Sequence, residues 1–140
     1  MSDALQAALS VAASGLHAQS KRLRVVSENL ANAQSTAAAP GGEPYARKVI
    51  SFAQTIDDIA NVSRVKIAGI DKAETPFRLV HDPGHPAADD KGNVLMPNVN
   101  MLSEVADMKE ASRSYEANLQ VVKQARDMIM STIDLLRSGR

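Results

Sequence analysis

The chain has 140 residues, of which 44% are hydrophobic, with two Phe, two Tyr and no Trp. This length suits one ordinary domain, or a small domain with long arms, and the hydrophobic share excludes a generally disordered chain. Sixteen basic residues balance sixteen acidic ones, so no strong field favours nucleic acid or an anionic membrane surface. The absence of cysteine excludes a disulfide framework and thiolate chemistry, but it does not indicate a compartment.

The first segment predicts one amphipathic helix over residues 3–33. Positions on one face recur in alternating steps of four and three, which is typical of a heptad repeat. That face comprises Leu5, Leu9, Ala12, Leu16, Gln19, Leu23, Val26 and Leu30. The apolar stretch has no basic region before it, and no run approaches the roughly 18 apolar residues of a membrane span. We therefore expect neither a cleavable signal peptide nor direct membrane insertion.

The middle of the chain differs in composition from the first segment. The stretch AAAPGGEP, residues 37–44, is rich in helix breakers, and four segments with β-branched residues follow it. They are YARKVISFAQ, SRVKIAGID, FRLVHD and NVLMPN, the last two on either side of the turn-rich DPGHPAADDKG. These segments predict a small β domain of about 60 residues, which would be marginally stable alone.

A second long helix is predicted after this region, with Asn100 as its N-cap. Its spaced face comprises Val105, Met108, Ser112, Tyr115, Leu119, Val122, Arg126, Ile129, Ile133 and Leu136. A neighbouring stripe of this helix is also apolar. Together the two stripes are wider than one partner helix can cover, so we expect further partners. The fold class is mainly α with a β insert (α+β), in which the terminal helices pair as an antiparallel coiled coil. We divide the chain into residues 1–35 (N-terminal helix), 36–100 (linker and β domain) and 101–140 (C-terminal helix).

No catalytic, cofactor-binding or metal-binding residue is predicted. His81 and His85 would share a face on a helix, but Pro83, Gly84 and Pro86 exclude a helix there. We interpret this stretch as a surface loop. The basic stretch KRLR, residues 21–24, lacks neighbouring aromatic residues and indicates a solvated face or salt bridges instead of a nucleic-acid site. Two alternatives stay open: a free-standing helical-hairpin adaptor, and a metal-dependent enzyme centred on the two histidines.

Three blocks of sequence resemble one known family. They are SGLHAQSKRLRVVSENLANAQST, the stretch VHDPGHPAADDKGNVLMPNVN with the preceding YARKVISF, and EVADMKEASRSYEANLQVVKQARDM. In this order they resemble the axial proteins of the bacterial flagellum, which form its rod, hook and hook-associated structures. The resemblance covers nearly the whole chain, and the short length is similar to that of the proximal rod members of the basal body.

The resemblance implies a structural subunit without catalysis. Such a subunit would be exported by the flagellar type III apparatus without a cleavable signal peptide. It would then assemble helically in the periplasmic rod, a hollow drive shaft, with other copies of itself and with other rod proteins. The junction with the basal-body ring and export gate would be a further partner, and nucleic acid would not.

By motif position, the resemblance places the assembly interface on both terminal helices. The residues assigned to it by motif position are Ser14, Gly15, Leu16, Gln19, Asn29, Leu30, Asn32, Met108, Arg113, Tyr115, Asn118 and Val122. The spaced faces of the two helices add Leu9, Leu23, Val26, Leu119, Ile129 and Ile133. Small residues there would allow close helix approach, the aliphatic ones would fill a seam, and the amides and the arginine would fix register by hydrogen bonds.

Overall fold

A computed structural model describes residues 2–57 and 62–139 of the chain. Its elements in order are the helix α1 (Ser2–Ala31), the strands β1 (Lys48–Asp57), β2 (Val62–Lys72), β3 (Arg78–His81) and β4 (Asn93–Met96), and the helix α2 (Met101–Ser138). The strands form two separate antiparallel hairpins, β1–β2 and β3–β4. The predicted class, two long terminal helices with a small β insert between them, is confirmed.

The two helices pack side by side in opposite directions. Gly15 of α1 lies against Asn118 of α2, and Asn29 near the end of α1 bonds to Glu104 near the start of α2. The fully covered positions of α2 are Glu104, Ala111 and Ala125. These positions fall on a seven-residue repeat, which is the spacing of a coiled coil.

The phase of this repeat differs from the predicted seam by one position. Ala111 is 0% exposed, whereas Val105 of the predicted seam is 39% exposed. On α1 the buried apolar residues are small or β-branched, namely Ala12, Ala18, Val25 and Val26, while the leucines are half-buried. Small side chains let the two backbones approach closely, so the bulkier residues move to the rim of the contact.

Local polar groups define the inner ends of both helices. The Asn100 side chain accepts hydrogen bonds from the backbone N–H groups of Leu102 and Ser103, which confirms the predicted N-cap. α1 ends at Ala31, two residues before the predicted boundary. After it, Asn32 donates through Nδ2 to the Glu28 carbonyl at 2.9 Å, and Ser35 N–H bonds to the Asn32 carbonyl at 3.0 Å. A helix that lacks a glycine stop is therefore closed by an asparagine side chain and a short turn.

The β1–β2 hairpin lies along α1. Its register pairs Lys48 with Lys72 and Phe52 with Ile67, with an irregularity between Ser51 and Phe52. Ser14 Oγ of α1 accepts a hydrogen bond from the Val65 backbone N–H at 3.3 Å. The hairpin therefore packs on a face of α1 different from the one at Gly15 that contacts α2.

The β3–β4 hairpin holds the loop of residues 82–92. Gly92 has a φ of +77°, and a Cβ there would lie 2.9 Å from the Pro83 ring, so this position requires glycine. Asp89 Oδ1 accepts from the backbone N–H groups of Asn93 (2.8 Å) and Lys91 (2.9 Å). These bonds, the Asn93 one most strongly, lower the pKa of the Asp89 carboxyl.

Neither helix, over the residues that the structure describes, has a stretch long and apolar enough to cross a membrane.

Candidate assembly interface and the network that anchors it

Asn29 is the centre of a buried polar network where the β insert meets the helices. It is 1% exposed, and its Nδ2 donates to the Lys48 carbonyl at 2.9 Å and to Glu104 Oε2 at 3.1 Å. Its Oδ1 accepts from the Tyr45 hydroxyl and from the Lys48 backbone N–H, both at 2.9 Å. All four hydrogen-bonding positions of this amide are used, which ties α1, α2 and the start of β1 together.

Glu104 places a buried carboxylate next to Asn29. The residue is 0% exposed, and Oε1 accepts from Arg47 Nε while Oε2 accepts from Asn29. A buried carboxylate is costly unless it is paired and hydrogen-bonded, and here both oxygens have partners. Arg47 is itself held in place, since its backbone N–H donates to Asn98 Oδ1 at 2.7 Å.

Further ion pairs extend the network toward solvent. Arg22 of α1 lies 3.3 Å from both Asp107 and Glu110 of α2, and Lys48 Nζ pairs with Glu28. These groups are partly exposed, so each pair contributes about 0–1 kcal/mol. Arg22 belongs to the stretch KRLR, and the structure gives this arginine a salt-bridge role between the helices.

Tyr45 completes the polar cluster next to Asn29. Its hydroxyl donates to Asn29 Oδ1, and the pKa of the phenol is raised by burial and then by the nearby carboxylates of Glu28 and Glu104. A phenolate here would face two negative charges without replacing the bond that the neutral hydroxyl makes. The site therefore favours the neutral hydroxyl.

The middle of the helix pair is organised by a small residue. A Cβ on Gly15 would lie 2.7 Å from Asn118 Nδ2 and 2.9 Å from Asn118 Cγ, so the glycine lets the Asn118 side chain lie flat against α1. Asn118 Nδ2 donates to the Ser114 carbonyl of its own helix at 2.9 Å. Beside it, Ser14 Oγ donates to the Val11 carbonyl at 2.7 Å.

The residues assigned to the assembly interface fall into three groups of exposure. Val26 and Asn29 are buried within the chain. The half-buried group comprises Leu9, Ser14, Gly15, Leu16, Gln19, Leu23, Leu30, Asn32, Met108, Tyr115, Asn118, Leu119 and Val122. Arg113, Ile129 and Ile133 are exposed. The structure thus covers most of these residues at least partly within the chain, and leaves Ile129 and Ile133 exposed at the far end of α2.

The loop between β3 and β4 engages both of its histidines locally. His81 Nδ1 lies 3.2 Å from Asn93 Oδ1, and His85 Nδ1 accepts from the Ala87 backbone N–H at 3.1 Å. Across residues 2–57 and 62–139, no group of three or more His, Asp or Glu side chains is arranged to hold a metal ion.

Sequence reasoning missed Glu104, Arg47, Tyr45, Lys48 and Asn98 as parts of one network. An acidic residue such as Glu104 in the first turn of a helix is favoured by the helix dipole and commonly faces solvent, so it does not indicate a buried network. One signal was present: Glu104 precedes Ala111 and Ala125 on the same seven-residue repeat. A charged residue in phase with buried alanines indicates a buried partner of opposite charge.

Comparison with known proteins relates both ends of the chain to flagellar basal-body rod proteins. Residues 9–37 match the family described as "Flagella basal body rod protein", and residues 90–135 match "Flagellar basal body rod FlgEFG protein C-terminal". The chain is 54% identical over 140 residues to flagellar basal-body rod protein FlgC of Agrobacterium fabrum strain C58, covering 99% of each chain.

More distant relatives carry the same name. FlgC of Escherichia coli O6:H1 is 42% identical over 125 residues, covering 89% of this chain and 92% of the relative. FlgC of Borreliella burgdorferi is 37% identical over 150 residues, covering 95% of this chain and 98% of the relative. With identities of this size along nearly the full length of both chains, the protein belongs to the FlgC family of flagellar basal-body rod proteins.

Proposed function

We propose that this chain is a structural subunit of the flagellar rod and joins it through surfaces that its two terminal helices leave uncovered. Family membership supports the structural role. The observation that carries the mode of assembly is the far end of α2, where Met128, Ile133, Leu135 and Leu136 are 61%, 45%, 72% and 74% exposed. Apolar area gains about 25 cal/mol per Å² when it leaves water, so neighbouring subunits would be stabilised by covering it.

The helices and the β insert take different positions in the proposed assembly. Residues 1–35 and 101–140 build the axial part of the assembly, and residues 36–100 form an insert outside it. Contacts of this kind join different surfaces of successive subunits and do not close into a ring, so they generate a helical tube with copies of the chain and other rod proteins. The position is the periplasmic, proximal part of the rod, next to the basal-body ring and the export gate.

Two further parts of the proposal concern chemistry and export. The chain does no catalysis, because its densest polar cluster is committed to structure: Asn29, Glu104 and Arg47 each bond to other parts of the fold. It reaches the rod through the flagellar type III export apparatus, without a cleavable signal peptide and without inserting in the membrane.

The test places a charge on the uncovered end of α2. Ile133→Asp changes a residue outside the contact with α1, so the isolated chain should keep its stability to within about 0.5 kcal/mol. In the rod it would bury a carboxylate without a partner, which costs several kcal/mol. A strain whose only copy of the chain carries Ile133→Asp should make the protein, build no complete rod and be non-motile.

The control is Ile133→Val, which changes the same position but keeps it apolar. It should leave motility intact, because a neighbouring subunit can still cover this side chain. Leu23 and Val122 are less suitable positions because both are half-buried inside the chain, where a charge would also disturb folding. Motile cells with normal basal bodies containing Ile133→Asp would contradict the proposal and favour a free-standing adaptor.

A further inference from the structure

The stretch KRLR of α1 divides between two sides of the helix. Arg22 turns to α2, where it pairs with Asp107 and Glu110. Lys21 and Arg24 instead line a recess between α1 and the β1–β2 hairpin. They are three positions apart, so they lie on the same side of the helix. The ion pairs between the helices therefore account for only one of the three basic residues of this stretch.

This recess, which we call the cationic recess, has a volume of about 210 Å³. It is lined by Lys21, Arg24, Val25, Glu28, Lys48 and Ile70. Val25 is buried, so the recess reaches the packed surface of α1. Pockets that enclose drug-sized ligands are larger, roughly 300–1,000 Å³, and this one therefore suits a compact group.

Positive charge exceeds negative charge around the cationic recess. Glu28, which pairs with Lys48 Nζ, is the one acidic residue among the described residues that line it. Lys72 stands directly opposite Lys48 in the hairpin, so its side chain lies on the same face. Asp71 points to the opposite face, because successive residues of a strand alternate. The fold thus gathers four basic side chains around a single carboxylate.

Three of these cations lack a partner in the described part of the chain. Within residues 2–57 and 62–139, the side chains of Lys21, Arg24 and Lys72 make no hydrogen bond and no ion pair. Like charges directly opposite each other, as Lys48 and Lys72 are here, destabilise an antiparallel pair of strands. An anion in the recess would offset this repulsion and accept charge-assisted hydrogen bonds.

We propose that the cationic recess binds a phosphate group. A phosphate monoester carries about −1.5 to −2 charge at pH 7 and offers three strong acceptor oxygens. A protein carboxylate carries a single charge, and with Lys48 paired to Glu28 it would leave most of the remaining positive charge unmatched. Arg24 can hold a phosphate through two parallel N–H···O bonds, while Lys21 and Lys72 act as point charges.

Titration of the full chain with sodium phosphate, followed in amide NMR spectra at neutral pH, tests the proposal. Sodium chloride keeps the ionic strength constant, so general screening is the same at every point. The amides of residues 21–28, 48 and 70–72 should shift and saturate, with a Kd below about 10 mM. Lack of saturation, or equal shifts with sodium chloride alone, would overturn the proposal.

Charge removal at exposed positions then locates the site. Arg24→Gln and Lys72→Gln, made singly, should each weaken phosphate binding at least about threefold. The matched control is Lys66→Gln, which removes an exposed charge from the same strand. Lys66 pairs with Ala53, an odd number of positions from Lys48 along β1, so it lies on the other face of the hairpin. Equal losses in the control and in the other two variants would place the binding elsewhere and overturn the proposal.

One substitution should strengthen binding. Glu28→Gln removes the carboxylate of the recess and frees Lys48 Nζ from its ion pair. The affinity for phosphate should rise at least about threefold, because a fourth cation becomes free to bind the anion. Circular dichroism confirms that each variant keeps its helix content. Unchanged or weaker binding by a folded Glu28→Gln chain would contradict the proposal.

Vesicles separate the two sources of a phosphate group, a soluble ester and a lipid headgroup. The full chain is sedimented with vesicles of phosphatidylcholine alone or mixed with phosphatidylglycerol. Retention on the anionic vesicles that Arg24→Gln lowers and Lys66→Gln does not would assign a lipid headgroup. Saturable binding of free phosphate without retention would assign a soluble ester, and the absence of both would overturn the proposal.

Discussion

The two ends of the helix pair are built on different principles. At the insert end, residues 22–33 and 101–111 are joined by directed polar contacts: Asn29 makes four hydrogen bonds, and Glu104 is paired with Arg47 while fully buried. At the free end, residues 4–18 and 115–125 include small side chains such as Gly15 and Ala12 at close or buried positions, and every residue of α2 from 126 to 138 is exposed.

The difference shows where the chain specifies its own fold and where it leaves surface for neighbours. Hydrogen bonds and buried charge have strict geometry, so the insert end can hold only one arrangement of α1, α2 and β1. Aliphatic contacts are less directional, and the exposed Met, Ile and Leu side chains of α2 can pack against another subunit. In such a subunit the insert end is fixed by its own contacts, and the exposed end of α2 can adapt to a neighbour.

Removing the buried carboxylate should have the largest effect on this contrast. Glu104→Ala removes the partner of Arg47 Nε and one of the four hydrogen bonds of Asn29, and breaking a buried ion pair costs about 3–5 kcal/mol. Arg47 is 27% exposed in its side chain and can turn partly to water, so we expect a loss of about 2–4 kcal/mol in the free energy of unfolding. Urea denaturation followed by circular dichroism measures it.

Glu104→Gln is the matched control because it keeps the shape and an oxygen acceptor but removes the charge. It should lose about half as much stability as the alanine variant. If Glu104→Ala unfolds at the same urea concentration as the unmodified chain, the insert end is not held by this network and the contrast between the two ends is wrong.

A smaller effect is expected from filling the close contact at the free end. Gly15→Val places carbon atoms where the Asn118 side chain lies, and overpacking of this kind costs about 1–3 kcal/mol. Valine and glycine are both poor helix formers, so helix propensity contributes little to the difference. The free energy of unfolding should fall by that amount, and adding Asn118→Ala should recover at least half of it.

Ala13→Val provides the comparison on an exposed position of the same helix. It should cost less than about 1 kcal/mol, mainly through helix propensity. Equal losses at positions 13 and 15 would show that the helices do not touch closely at Gly15.

The sequence predicted the helices and strands well because each has a local signal. Heptad spacing identified α1 and α2, Asn100 identified the start of α2, and segments with β-branched residues beside turn-rich stretches identified all four strands. These signals depend on neighbours a few positions apart, so they are visible without the fold.

The phase of the seam and the polar network could not be predicted in the same way. Which of two adjacent stripes faces the partner depends on how closely the backbones approach, and that was decided by Gly15, Ala111 and Ala125 rather than by the largest apolar residues. The bond between Asn29 and Glu104 joins residues 75 positions apart. The assignment of residues to contacts between subunits stays a prediction, since it concerns surfaces that a single chain leaves open.

The smallest expected effect concerns Tyr45 and depends on pH. Tyr45→Phe removes the hydroxyl that donates to Asn29 Oδ1 at 2.9 Å, and the loss of one such bond costs about 0.5–1.5 kcal/mol. Burial and the carboxylates of Glu28 and Glu104 raise the pKa of this phenol in the folded chain above its ordinary value of about 10. The proton is thus held more tightly in the folded state than in the unfolded state.

The stability that this proton provides is complete below about pH 10 and is lost as the pH rises through the raised pKa. The unmodified chain should therefore lose stability more steeply above pH 10 than Tyr45→Phe does, and the difference between them should shrink with rising pH. Urea denaturation at several pH values between 8 and 11 measures this difference. A constant difference across that range would mean that the hydroxyl does not belong to the network at the insert end.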